Sequence, residues 1–131
     1  MQSRRGAAVV EFALIVPVML TFTFGLIEVS RISMIKEAVV QASREGARVG
    51  VRPTATIADV KARVQEELTI MNITGASVEI TPGYLETAEP GDDVTVRITI
   101  AIADISYVPG FFSLGGVDIV AETVMRREST G

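Results

Sequence analysis

Residues 4–31 read RRGAAVVEFALIVPVMLTFTFGLIEVSR, and residues 32–50 continue as ISMIKEAVVQASREGARVG. Between Ala7 and Ile27 the only charged side chain is Glu11, in a run otherwise composed for lipid. Those 21 residues would measure about 31 Å as a helix, which matches the hydrocarbon core of a bilayer. Arg4 and Arg5 stand just before the run, and a compact basic pair at a first span favours the N-terminus in the cytoplasm and the remainder outside.

A secretory signal would have a shorter apolar region, about 7–15 residues, ending at a small-residue cleavage site. Here the pattern continues instead. Ile32, Ile35, Val39, Ala42, Gly46 and Val49 recur at spacings of three and four, one stripe on a helix. No helix breaker intervenes between Glu28 and Gly46, so one helix is expected from about Ala7 to about Val49, roughly 65 Å long. Pro17 lacks the N–H that would bond the Ala13 carbonyl, and a kink is expected there, which membrane helices tolerate.

The period changes after Val51. Pro53 in RPTAT marks a connector, and Thr56 with Asp59 three residues later reads as a capping box. Ile57, Val60, Val64, Leu68 and Met71 then form the apolar stripe of a second helix that runs to about Asn72 and is stopped near Gly75. From Ala76 onward the period is two. Val78 and Ile80 alternate with polar residues, a loop rich in Gly, Pro and Asp spans 82–92, and Val94, Val96, Ile98, Ile100 and Ile102 mark a long strand. A third alternating stretch runs from about Val117 to Glu128, with Ile119, Ala121, Thr123 and Met125 on one side and Asp118, Glu122 and Arg126 on the other. Val120 and Val124 depart from this polar pattern. Helices first and strands after predict an α+β fold: a long transmembrane and stalk helix, a second amphipathic helix, and an antiparallel sheet of about three strands.

Composition excludes several functions. With neither cysteine nor histidine, thiol chemistry, disulfide stapling, the usual zinc sites and histidine acid/base catalysis are unavailable. A net charge of −4 lacks the concentrated basic face that nucleic acid requires. Asp92 and Asp93 precede a strand in a PGDD turn and read as turn chemistry, while Ser43 has no base to activate it. No enzymatic activity, metal or cofactor is expected. The sequon formed by Asn72, Ile73 and Thr74 is a short pattern that arises often by chance.

The segment DISYVPGFFSLGG, residues 104–116, gathers Tyr107, Phe111, Phe112 and Leu114 between glycines and a proline. Two readings are open for it: closure of the end of a small core, or an apolar patch for a partner or membrane surface. Glu11 also has two readings. It either reaches headgroup water from near the interface, or it has a partner within the membrane, since a lone intramembrane charge costs several kcal/mol.

The stretch RRGAAVVEFALIVPVML resembles the leader of type IV prepilins, and together with ASREGARVG at the end of the stalk it resembles the TadE-like family of minor pseudopilins from tight adherence pilus systems. The resemblance covers the first fifty residues. It implies cutting by a prepilin peptidase after Gly6, with Ala7 as the new N-terminus, Glu11 as the glutamate at the fifth mature position and Phe12 as the aromatic beside it. It further implies that the partner of Glu11 is the α-amino group of Ala7 on a neighbouring subunit, and that the partners are other minor pseudopilins and pilins in a hetero-oligomer. On this reading the chain divides into a leader (1–6), a membrane segment (7–27), a helical stalk (28–51) and an exposed α+β domain (52–131), held single-pass in a bacterial inner membrane with the domain outside the cytoplasm. The alternative is a single-pass envelope binding module whose anchor is never processed.

Overall fold

The computed structural model of the chain describes residues 2–106 and 116–128. The fold is α+β, and it falls into two compact units, Met1–Arg31 and Ile32–Gly131. Helix α1 runs over Gln2–Gly50, beginning before and ending close to the bounds that the apolar pattern indicates.

In the first unit α1 continues as helix through Pro17. Thr21 and Thr23 each donate their hydroxyl to the carbonyl four residues back, on Pro17 and Met19, both at 2.8 Å. Such back-bonding satisfies a hydroxyl where neighbouring water is scarce. Most side chains on this part of α1 are exposed, Val9, Phe12, Leu14, Val18, Phe22 and Leu26 among them. Among the described residues α1 is the one helix long and apolar enough to cross a membrane, with a mean hydropathy of 2.1 over its most apolar stretch.

The second unit contains residues 32–50 of α1, helix α2 (Ile57–Ile70) and strands β1 (Ser77–Thr81), β2 (Asp93–Ala101) and β3 (Asp118–Arg126). The sheet order is β1-β2-β3, antiparallel throughout. Val94, Val96, Ile98 and Ile100 of β2 point into the core, joined by Ile119 and Ala121 of β3. The helical stripe meets them from above: Ile35, Val39, Ala42 and Ala47 of α1 and Val60, Val64 and Leu68 of α2 are buried in the same cluster. On the outer face Arg97 of β2 lies opposite Glu122 of β3, and its guanidinium donates to that carboxylate at 2.7 Å. Val120 and Val124 share this outer face and are exposed, so the alternation of β3 is regular in space although its outer positions are not all polar.

Thr56 caps α2 as its sequence indicates. Its hydroxyl accepts from the Asp59 N–H at 3.2 Å, and its own N–H donates to the Asp59 carboxylate at 2.9 Å. At the other end the structure departs from the apolar pattern. The helix stops at Ile70, Met71 is its C-cap and is 42% exposed, and Ile73 is buried in its place. The cause is a Schellman closure. Asn72 adopts a left-handed φ of 53°, and the N–H groups of Asn72 and Ile73 bond the carbonyls of Thr69 and Leu68 at 3.0 Å each, which turns Ile73 back onto the core. Ile102 is a second departure. It continues the alternation of β2 in sequence, but the strand ends at Ala101 and Ile102 opens a short helix, α3 (Ile102–Ile105), that buries both of its isoleucines.

A 3-10 turn at Leu85–Thr87 interrupts the 82–92 loop and sends Leu85 into the core. Arg127 ties this loop to the rest. Its buried guanidinium donates to the carbonyls of Leu85 and, at 2.8 Å, Pro53, while its N–H bonds the Asp92 carbonyl at 2.8 Å. Asp92 also accepts from the Glu89 N–H at 2.8 Å, the turn role that the PGDD sequence indicates.

Candidate functional site

Gly6, Ala7, Glu11 and Phe12 all lie on α1 in the first unit. Ala7 and Glu11 are one helical turn apart, on the same face and separated by about 6 Å along the axis. Both are exposed, and Phe12 is 69% exposed. A Cβ built on Gly6 would meet no atom within 4 Å, so packing within the chain does not demand a glycine there. Glu11 makes no hydrogen bond or ion pair with any other described residue. The site is therefore a strip of open helix surface with one carboxylate on it. Tyr107, Phe111, Phe112 and Leu114 lie outside the described residues.

The far end of α1 has a different chemistry. A Cβ on Gly46 would stand 2.5 Å from Cγ2 of Val64 and 3.4 Å from Cγ1 of Val96; one on Gly50 would stand 3.0 Å from Cγ1 of Val94 and 3.3 Å from Cγ2 of Val60. These two glycines, four residues apart on one face, let α1 sit against both α2 and the sheet at a distance no larger residue permits. Between them and the membrane end, Ser43 is fully buried and its Oγ lies 2.7 Å from Oγ1 of Thr123 on β3. The serine that sequence reasoning weighed as a nucleophile is thus a tie between helix and sheet.

Residues 6–48 match the family model described as TadE-like protein. The N-terminal third of the chain is TadE-like. The match begins at Gly6, takes in Ala7, Glu11 and Phe12, and extends through the glycine that packs against Val64. None of the curated proteins or solved structures compared with the chain matches it. The TadE-like match points to a tight adherence pilus-associated protein, and the apolar α1 fits a membrane anchor.

The polar surface of the second unit is organised around Arg63 on α2. Its guanidinium reaches Glu67 at 2.6 Å, Glu66 at 2.8 Å and Glu45 of α1 at 3.7 Å. The hydrogen bond to Glu66 chiefly, with the charges of Glu67, Glu66 and Glu45, holds this arginine above its ordinary pKa against the opposing loss of solvation. The Thr56 backbone and hydroxyl hold the Asp59 carboxyl below the usual carboxylate range. Among the described residues no cluster of three or more acidic side chains could hold a metal ion. Sequence reasoning did not find the packing role of Gly46 and Gly50; the G-x-x-x-G spacing is the signal that could have pointed to it.

Proposed function

We propose that the chain is a minor pseudopilin: a structural assembly subunit of a tight adherence pilus, without enzymatic activity, inserted by α1 and processed by a prepilin peptidase after Gly6. The observation that carries this reading is the exposed, unpartnered Glu11 on an apolar helix surface within the TadE-like stretch. A carboxylate in hydrocarbon is expected to have a partner, and no described residue of its own chain supplies one. Cleavage after Gly6 creates an α-amino group on Ala7, and the same group on a neighbouring subunit satisfies the carboxylate while fixing the axial register of the two helices. The domain built on Ile32–Gly131 is then the part presented outside the cytoplasm.

The test is Glu11→Gln in the full-length chain. Insertion and processing should be unchanged, because a neutral amide enters lipid more readily than a carboxylate, while copurification with pilin partners is lost. Glu11→Asp should be intermediate, retaining the charge at shorter reach. If the carboxylate only reaches headgroup water, the amide will support normal partner crosslinking and normal pili, and the pairing role is then refuted.

A further inference from the structure

The second unit has two unlike ends. Gly46 packs towards Val96, and Gly50 towards Val94 and Leu85, so α1 runs antiparallel to β2. Met34, about 24 Å back along α1 from Gly50, is therefore level with the end of β2. The close of α2 is at the same end, since Met34, Ile70 and Met71 line one shallow cleft. So is the start of β3: Asp118 pairs with Ala101, and the Ile102 N–H bonds the Val117 carbonyl at 3.1 Å. This end leaves Met34, Ile70, Met71 and Val117 exposed by 56%, 70%, 42% and 46%. The opposite end, where Leu85 meets Gly50, exposes the acidic residues Glu86, Glu89, Asp92 and Asp93 beside Tyr84.

We propose that this apolar end of the second unit rests on the lipid surface of the membrane that α1 crosses, with Met34, Ile70, Met71 and Val117 in the headgroup layer. Connectivity selects the occupant. Seven residues carry the chain from Ile27, the last of the apolar run, to Met34, a tether of about 10 Å as helix and about 25 Å at full extension. A surface tethered this closely meets lipid at high effective concentration, so weak apolar contacts suffice to hold it there. An exposed apolar patch beside a span is thereby given a partner that is always within reach. Charge does not drive the contact. Glu37, Asp104 and Asp118 are exposed at this end against the single cation Lys36, so anionic headgroups are not attracted and removal of apolar surface from water is the driving force. The proposal rests on α1 as a membrane span; it does not depend on cleavage after Gly6 or on pilus partners.

The chain has no cysteine, so one introduced cysteine carries one fluorophore. Full-length Ile70→Cys, Tyr84→Cys and Phe22→Cys variants are labelled and reconstituted, at high dilution, into phosphatidylcholine vesicles whose lipids bear a nitroxide quencher on the headgroup or deep in the acyl chain. The Ile70 label should lose emission to the headgroup nitroxide, the Phe22 label to the deep one, and the Tyr84 label to neither. Adding Met34→Gln and Met71→Gln to the Ile70→Cys chain should restore most of the lost emission. Both positions are exposed, so the Tm should not change. Quenching that survives these substitutions would show that the tether alone brings the label near lipid, and would overturn the proposal. Quenching that requires added phosphatidylglycerol, or that high salt abolishes, would overturn it too. An Ile70 label that escapes quenching while the Phe22 label is quenched would refute the docking alone, whereas a Phe22 label that escapes would refute the span beneath it. Protection of the Ile70 label that appears only when chains are crowded in the vesicle would assign the surface to a second copy and overturn the proposal.

Discussion

Replacing Gly46 with alanine sets two effects of opposite sign against each other. Alanine in a helix interior is favoured over glycine by about 1 kcal/mol. The new methyl, however, would lie 2.5 Å from Cγ2 of Val64, well inside contact distance. Val64 is fully buried on a helix, where a β-branched side chain has one strongly preferred rotamer, so relief requires α1 and α2 to move apart. Overpacking of this kind costs about 1–3 kcal/mol. The net is a loss of about 1 kcal/mol, which for a unit of this size lowers Tm by about 4–8 °C. Gly50→Ala should cost less, since its nearest contact is 3.0 Å. Scanning calorimetry of the detergent-extracted chain measures both. In the double variant Gly46→Ala/Val64→Ala the methyl has room, so the combined loss should fall short of the sum of the single losses by about 1 kcal/mol. A rise in Tm for Gly46→Ala, together with strict additivity, would show that the close approach of the helices is not a constraint.

Ser43→Ala leaves Oγ1 of Thr123 without its buried partner and should destabilise by about 1–3 kcal/mol, whereas adding Thr123→Val should recover part of the loss; urea unfolding checks both. Asp59 has a depressed folded-state pKa, so its contribution is present above the unfolded value of 3.8 and is lost as pH falls through the lower folded value. Thermal unfolding of Asp59→Asn should therefore show a shallower decline in stability below about pH 4 than the parent chain. A truncated chain beginning at Ile32 should unfold cooperatively by circular dichroism, while one beginning at Arg52 should not fold, because it lacks Val39, Ala42 and Ala47, which have 0% exposure in the core. A cooperative transition of equal midpoint in the two truncations would contradict the placing of α1 in that core.

The elements governed by periodicity were legible in the sequence. The three-four stripe of α1 and the alternation of β2 each reflect a single face against a single core, and the Thr56–Asp59 capping box depends only on neighbours within one turn. What was not legible depends on contacts distant in sequence. Ile73 replaces Met71 because of a left-handed Asn72, and Leu85 reaches the core through a 3-10 turn. Gly46 and Gly50 acquire their role only when Val64, Val94 and Val96 arrive from elsewhere in the chain. Arg127 reads as one more charge at the end of a strand, although it holds two connectors by their carbonyls. The candidate site divides the same way. Gly6, Ala7, Glu11 and Phe12 are close in sequence and recognisable as a pattern, whereas the tie between Ser43 and Thr123 forms only when helix and sheet meet and has no local signature.

The central claim, a TadE-like subunit matured by removal of its first six residues, is tested most directly by the intact mass and N-terminal sequence of the protein extracted from native membranes. The account predicts a single species beginning at Ala7, with Arg4 and Arg5 removed and Glu11 at its fifth position. A chain that begins at Met1, or one cut beyond the apolar segment, would contradict it.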